Sequence, residues 1–184
     1  KNRTNKQDCF LVEKKTILAR ITSNLFLMST QQEEKIRILY VDDEENNLQA
    51  FKATFRRDYK IFLAISALEG VKILEKEEID LIVTDQRMPE KTGVEFLESI
   101  IPIYPKPIRI LLTGYTDIQA VIDAINKGQV YHYLTKPWEE DYLRTVIKNA
   151  FEVYALRREN ERLTEALLKA NEQLEFLLRQ NLLS

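Results

Sequence analysis

Two apolar runs in this 184-residue chain each stop at carboxylates, and that arrangement constrains the fold more than any other feature. The first, Ile36-Arg37-Ile38-Leu39-Tyr40-Val41, leads into the pair Asp42-Asp43; the second, Asp80-Leu81-Ile82-Val83-Thr84, leads into Asp85. Runs of this kind suit strands buried on both faces, the pattern of a parallel sheet. Farther on, Arg109-Ile110-Leu111-Leu112 leads into Thr113, and Val130-Tyr131-His132-Tyr133-Leu134-Thr135 into Lys136-Pro137. Parallel strands deliver their last residues to one edge. That edge is therefore expected to gather three carboxylates, a hydroxyl and an ammonium.

From Lys35 onward strand and helix alternate through five rounds, with helices expected over 46–57, 67–76, 92–101 and 117–126 and a fifth beginning near Glu139. Gly128 is expected to close the fourth helix as a C-cap, and Pro102, Pro105 and Pro107 punctuate the approach to the fourth strand. Such alternation implies an α/β, doubly wound, five-stranded parallel sheet with helices on both faces.

The predicted edge has a specific chemistry. Crowded carboxylates repel one another and take up protons unless something neutralises them, and a hard divalent cation does so through oxygen ligands. Mg²⁺ needs only one or two carboxylates beside water and phosphate oxygens. A phosphoryl group can be received there, with Asp85 attacking in line, Thr113 donating a hydrogen bond to an equatorial oxygen and Lys136 offsetting its charge. Aspartates after strands also serve as helix N-caps or loop acids; three of them coinciding with Thr113 and Lys136 weighs against that reading. His132, the sole histidine, lies inside a strand and is expected to be a packed or edge residue, so a histidine phosphodonor domain is not expected. Trp138 is expected to anchor the fifth helix by packing.

Taken in order, these motifs resemble the receiver domain of bacterial two-component response regulators, over about residues 35–150. The resemblance rests on the acidic pair after the first strand, Asp85 with Met88-Pro89 and Gly93, Thr113-Gly114, and Tyr133 with Lys136-Pro137. It implies a flavodoxin-like sheet of order 2-1-3-4-5 with the site at the carboxyl ends of strands one and three. Asp85 would be the phosphoacceptor, with Thr113 and Lys136 contacting the phosphoryl group and Thr113 and Tyr133 forming the switch. Mg²⁺ would be the cofactor, with Asp43 a direct ligand, Asp42 acting partly through water, and Asp85 and the Arg87 backbone carbonyl completing the shell. The Lys136-Pro137 bond would be cis. Arg87 and Tyr115 would border the path of the attacking water and lengthen the phosphorylated state. A sensor histidine kinase or phosphotransfer protein would donate the phosphoryl group, a downstream protein of unknown identity would receive the signal, and the chain would catalyse only its own phosphorylation and dephosphorylation.

Composition bounds the rest. A net charge of −2 offers no electrostatic draw for nucleic acid or an anionic membrane. The single cysteine, Cys9, cannot form an internal disulfide, and no apolar stretch approaches the length of a membrane span, so the cytoplasm is the expected location. Residues 1–33 do not fit the alternating pattern. Lys14, Lys15 and Arg20 precede the patch Leu25-Phe26-Leu27-Met28, which is too short for a signal peptide and lacks a small-residue cleavage site. The segment is expected to be a disordered or non-native extension, with Met28 a candidate natural start.

The fifth helix is expected to continue past the receiver pattern. With Val153 at an a position, the a/d seam runs through Leu156, Asn160, Leu163, Leu167, Ala170, Leu174, Leu177 and Asn181, a seven-residue period that favours a left-handed coiled coil. Asn160 at an a position suits a parallel homodimer, and Glu152 at g can pair with Arg157 at the following e. The expected division is 1–33 extension, 34–150 phospho-receiver and 151–184 dimerisation helix. The alternatives are a helix folded back on its own domain and a linker to an output domain. Phe176, Leu178, Leu182 and Leu183 lie off the seam and are candidates for contact with another partner. Two other functions stay open: the regulatory amino-terminal part of a longer protein with an enzymatic output, such as a cyclic-di-GMP enzyme, and a Mg²⁺-dependent phosphohydrolase. The second needs a further acid shortly after the nucleophile, where Gln86, Arg87 and Met88 stand instead.

Overall fold

Five parallel strands, β1 Arg37–Val41, β2 Lys60–Ala64, β3 Leu81–Asp85, β4 Ile108–Thr113 and β5 His132–Thr135, form one sheet of order β2-β1-β3-β4-β5. The computed structural model describes residues 35–114, 118–126 and 129–182. Tyr115, Gly128, Leu183 and the segment before Lys35 lie outside them. The helices are α1 Glu45–Phe55, α2 Ala67–Leu74, α3 Gly93–Ile100, α4 Ile118–Asn126 and α5 Glu140–Leu182. The α/β, doubly wound, flavodoxin-like order expected from the sequence is the one observed.

Strand periodicity explains the layering. Successive side chains point to opposite faces. Ile38 and Tyr40 of β1 join Val83, Ile110 and Leu112 in a core covered by Leu48, Phe51 and Phe55 of α1 and Leu143, Val146 and Ile147 of α5. Leu39 and Val41 turn the other way, with Ile82 and Leu111, onto Leu74 of α2, Phe96, Leu97 and Ile100 of α3 and Ala124 of α4. Central β3 is buried along its whole length, whereas the edge strands β2 and β5 are partly open. Trp138 packs against the rings of Phe51 and Phe55 at 6.2 and 5.9 Å between centroids, fixing the chain just before α5.

Local chemistry sets the helix starts. Ser66 accepts from the Glu69 N–H at 3.2 Å to cap α2. Thr92 and Glu95 form a reciprocal capping box on α3, so the loop that follows Asp85 ends at a fixed point. The strands begin about one residue away from the apolar runs in several cases. Val130 and Tyr131 precede β5, although the Tyr131 N–H already donates to the Arg109 carbonyl at 2.8 Å.

The fifth helix runs for 43 residues without interruption, roughly 65 Å at 1.5 Å per residue. Ala150 is buried, Phe151, Val153 and Tyr154 are partly buried against the domain core, and the side chains from Ala155 through Gln180 are exposed. Val153 thus packs on its own domain, and the seam stands clear only from Leu156. Leu156, Leu163, Leu167, Leu174 and Leu177 are each more than half exposed. The helix does not fold back to cover them. Among the described residues no helix is long and apolar enough to cross a membrane.

Candidate functional site

The carboxyl ends of β1 and β3 place Asp42 and Asp85 side by side because β1 and β3 are direct neighbours, with Val41 opposite Thr84. The Lys136 ammonium, from the end of β5, stands between them at 2.7 Å from Asp42 Oδ2 and 2.5 Å from Asp85 Oδ1. Its backbone is fixed by the Lys136 N–H donating to the Thr113 carbonyl at 2.8 Å; the Lys136-Pro137 bond is cis. Asp42 is fully buried and Asp85 nearly so.

The two carboxylates differ in their donors. Asp42 accepts from the Tyr40 hydroxyl at 2.6 Å, the Glu44 N–H at 3.0 Å, Asn47 Nδ2 at 3.1 Å and Lys136. Burial pushes its carboxyl up, but these donors together outweigh burial and hold it below the ordinary range. Asp85 accepts from Lys136 and from the Arg87 N–H at 2.7 Å. Here burial wins, aided by the Asp42 charge, and the carboxyl is held above the ordinary range. Lys136 loses through burial and gains more from its two partners, so its ammonium is held up. Two carboxyls pushed apart in this way suit different roles: Asp42 is the more stabilised anion and Asp85 the less stabilised one.

That difference has a stability consequence. A carboxyl whose folded value is raised favours folding in its protonated form, a contribution present below the unfolded value of about 3.9 and lost as pH rises through the folded value. Ionised Asp85 therefore costs stability at neutral pH. Asp85→Asn is expected to raise the melting temperature at pH 7 by a few degrees and to lose that advantage near pH 3; a lower melting temperature at pH 7 would contradict this account of Asp85.

The other sequence-predicted residues are placed as follows. Asp43 sits half-buried at the rim beside Asp42. Thr113 ends β4 fully buried, and its hydroxyl donates to the Gly114 carbonyl at 3.0 Å rather than toward the carboxylates. Tyr133 lies on edge strand β5 with its ring partly exposed and stacked on His132. His132 is partly buried, at 3.3 Å from the Tyr142 hydroxyl. Three residues were not singled out from sequence. Tyr40 and Asn47 fix Asp42, and Gln86, which is buried, accepts the Val94 N–H on its side-chain oxygen at 3.1 Å while its backbone carbonyl accepts the Gly93 N–H at 3.0 Å. Tyr40 carried a readable signal: a hydroxyl two residues before an acid points to the same face of the strand.

The donor chemistry suits a hard cation: Asp43, Asp85 and the Arg87 backbone carbonyl, the residues expected from sequence, would offer oxygen ligands only. Among the described residues no three carboxylate or imidazole groups converge into a closed metal cage. Mg²⁺, which keeps much of its water, does not require one.

The motif order, sheet topology and acid–lysine geometry now meet an independent finding: a family model described as a response regulator receiver domain matches residues 38–148. The chain belongs to the response regulator receiver family. The hydrogenase transcriptional regulatory protein HoxA of Bradyrhizobium diazoefficiens is 36% identical over 124 residues, 67% of this chain and 26% of that protein. Among solved structures, a response regulator receiver domain protein from Clostridium thermocellum aligns with a TM-score of 0.62 and 34% identity, covering 66% of this chain and 98% of that one. The signal receiver domain of an HD domain-containing protein from Pseudomonas fluorescens Pf-5 gives a TM-score of 0.66 and 32% identity, covering 71% and 96%. This receiver-family chain spans about a quarter to a third of the curated relatives it matches. Those relatives are named as regulatory proteins, which lends no support to an enzymatic output.

Proposed function

We propose that this receiver accepts a phosphoryl group on Asp85 from a sensor histidine kinase or phosphotransfer protein, pairs through the exposed seam of α5, and signals in the cytoplasm by binding a downstream protein. The observation that carries the chemistry is the Lys136 ammonium within 2.7 Å of both Asp42 and Asp85, of which Asp85, buried with fewer donors, is the less stabilised. Asp43, Asp85 and the Arg87 carbonyl would hold Mg²⁺, with Asp42 contributing through water; the cation supplies positive charge to phosphoryl oxygens. Thr113 must turn its hydroxyl from the Gly114 carbonyl to reach a phosphoryl oxygen, which makes it, with Tyr133, the element that registers the modification. Residues 34–150 form the receiver in this reading, 151–184 the dimerisation helix and 1–33 an extension outside both.

The experiment is uptake of phosphate from acetyl phosphate in the presence of Mg²⁺, read as an acid-labile adduct on the intact chain. One adduct is expected in the wild type and none in Asp85→Asn; an adduct of unchanged yield in the variant would place the acceptor elsewhere. The same samples, followed after donor removal, test whether Arg87 and Tyr115 obstruct the attacking water. The Arg87→Asn, Tyr115→Glu variant is expected to lose its phosphoryl group faster than the wild type.

Support for pairing comes from the helix. Five leucines at a and d positions stand more than half exposed, and Asn160 falls where two parallel copies can hydrogen-bond across the seam.

A further inference from the structure

Strand β3 ends at Asp85, and the residue after it is a glutamine only 5% exposed. A buried amide is costly unless it is hydrogen-bonded, so the partners of Gln86 show what it holds. Its N–H donates to the Leu112 carbonyl at 2.8 Å, which carries the contact with β4 one residue past Asp85. Its carbonyl accepts the Gly93 N–H at 3.0 Å, and its side-chain oxygen accepts the Val94 N–H at 3.1 Å. Thr92 Oγ1 takes the next amide, the Glu95 N–H, at 3.3 Å. The first amides of a helix have no acceptor within the helix. In α3 the first two are both held by the residue that follows Asp85.

The loop between them, residues 87–92, is thereby closed at both ends. Inside it the Lys91 N–H donates to the Pro89 carbonyl at 2.7 Å, and Glu90 has a φ of 66°, a left-handed conformation that disfavours any residue with a Cβ. Such a conformation persists only where the surroundings impose it. At the start of the same loop the Arg87 N–H donates to Asp85 Oδ2 at 2.7 Å, while Lys136 takes Oδ1 at 2.5 Å. The two oxygens of Asp85 are assigned to different donors, and the orientation of the carboxylate depends on where the loop puts the Arg87 peptide.

We propose that Gln86 is a positioning residue for Asp85: by tying the first turn of α3 to the end of β3, its side-chain amide holds loop 87–92 in the strained form that aims the Arg87 N–H at Oδ2. This role rests on the reading of Asp85 as phosphoacceptor, and Gln86 acts on the reaction only through the Arg87 peptide.

The test uses the full chain as wild type, Gln86→Leu, Gln86→Glu, Glu90→Gly and the Gln86→Leu, Glu90→Gly double variant. Leucine fills a similar space without an acceptor, and glutamate restores one. In metal-free protein, amide exchange followed by NMR should quicken roughly tenfold at Arg87 and Val94 in Gln86→Leu, with less change at Phe51 in the core of α1. Phosphoryl uptake from acetyl phosphate with Mg²⁺ should slow roughly tenfold in Gln86→Leu and return to within about threefold of wild type in Gln86→Glu. Glu90→Gly should raise the melting temperature by a few degrees in the wild type and by less in the Gln86→Leu background, where the loop has already relaxed. Gln86→Asn, one methylene too short to reach Val94, replaces Gln86→Leu if that variant does not fold.

Gln86→Leu taking up phosphate at the wild-type rate, or Gln86→Glu as slow as Gln86→Leu, would overturn the role of Gln86 while leaving Asp85 as acceptor. Exchange that quickens equally at Phe51 would show general destabilisation and overturn it as well. A wild type that takes up no phosphoryl group would remove the acceptor reading, and the positioning role with it.

Discussion

Lys136→Met is expected to abolish phosphoryl uptake and to lower stability at pH 7 by about 3 kcal/mol, because removing one member of a buried ion cluster strands the others. The side chains of Asp42 and Asp85 are only 1% and 8% exposed, so water cannot replace the lost ammonium. The pH window follows from the directions of the shifts. Asp42, held low, contributes stability that is present above its unfolded value of about 3.9 and lost as pH falls through its folded value; Lys136, held high, contributes stability present below about 10.4 and lost above its folded value. The difference between wild type and variant should thus be largest at neutral pH and shrink in acid, first as Asp85 takes up its proton and further as pH falls through the lowered folded value of Asp42. Urea unfolding at pH 7 and pH 3 measures it, and a difference that does not change with pH would mean that the variant fails for packing reasons alone.

Gly93→Ala is expected to be as severe by a different route. A Cβ at Gly93 would collide with the Asp85 carbonyl oxygen and lie 2.8 Å from Leu111 Cδ1. The first is backbone, and it cannot move without displacing the end of β3, where Gln86 and the Thr92–Glu95 capping box fix the loop from both sides. Overpacking of this kind costs about 1–3 kcal/mol and more where backbone must shift; we expect the upper end, with loss of phosphoryl uptake. The other glycines give a graded control. At Gly70 an added methyl would meet Phe96 Cζ at 3.1 Å, a contact a ring can relieve, while Gly114 faces open space within 4 Å. Chemical denaturation should rank the alanine variants Gly93 far below Gly70, and Gly114 near wild type. A Gly93→Ala protein as stable as Gly114→Ala would refute the close approach.

The parallel strands and the gathering of Asp42, Asp85 and Lys136 were readable from sequence because each depends on where an apolar run stops, and runs of buried aliphatic residues are hard to mistake; the strand order came from the family resemblance. What was not readable depends on geometry across elements. Whether Lys136 would stand nearer one carboxylate or share both depends on how β4 holds its backbone through the Thr113 carbonyl. That Asp42 rather than Asp85 would be the stabilised anion turns on Tyr40 and Asn47, whose side chains meet only after α1 docks. Heptad counting placed Val153 in the seam, and the fold shows it packed on the domain core, because periodicity does not say which neighbour an apolar residue will choose.

The unbroken passage of α5 from buried Ala150 to its far end makes the helix a lever whose short arm is clamped in the core. About 32 residues lie beyond the clamp, roughly 48 Å of rigid rod. A tilt of about 10° at the sheet, too small to disturb the packing of Leu143 and Ile147 severely, would sweep the tip by roughly 8 Å. Phe176 and Leu178 ride on that tip, so any body that grips them would sense displacement at the sheet as movement on the scale of a whole side chain.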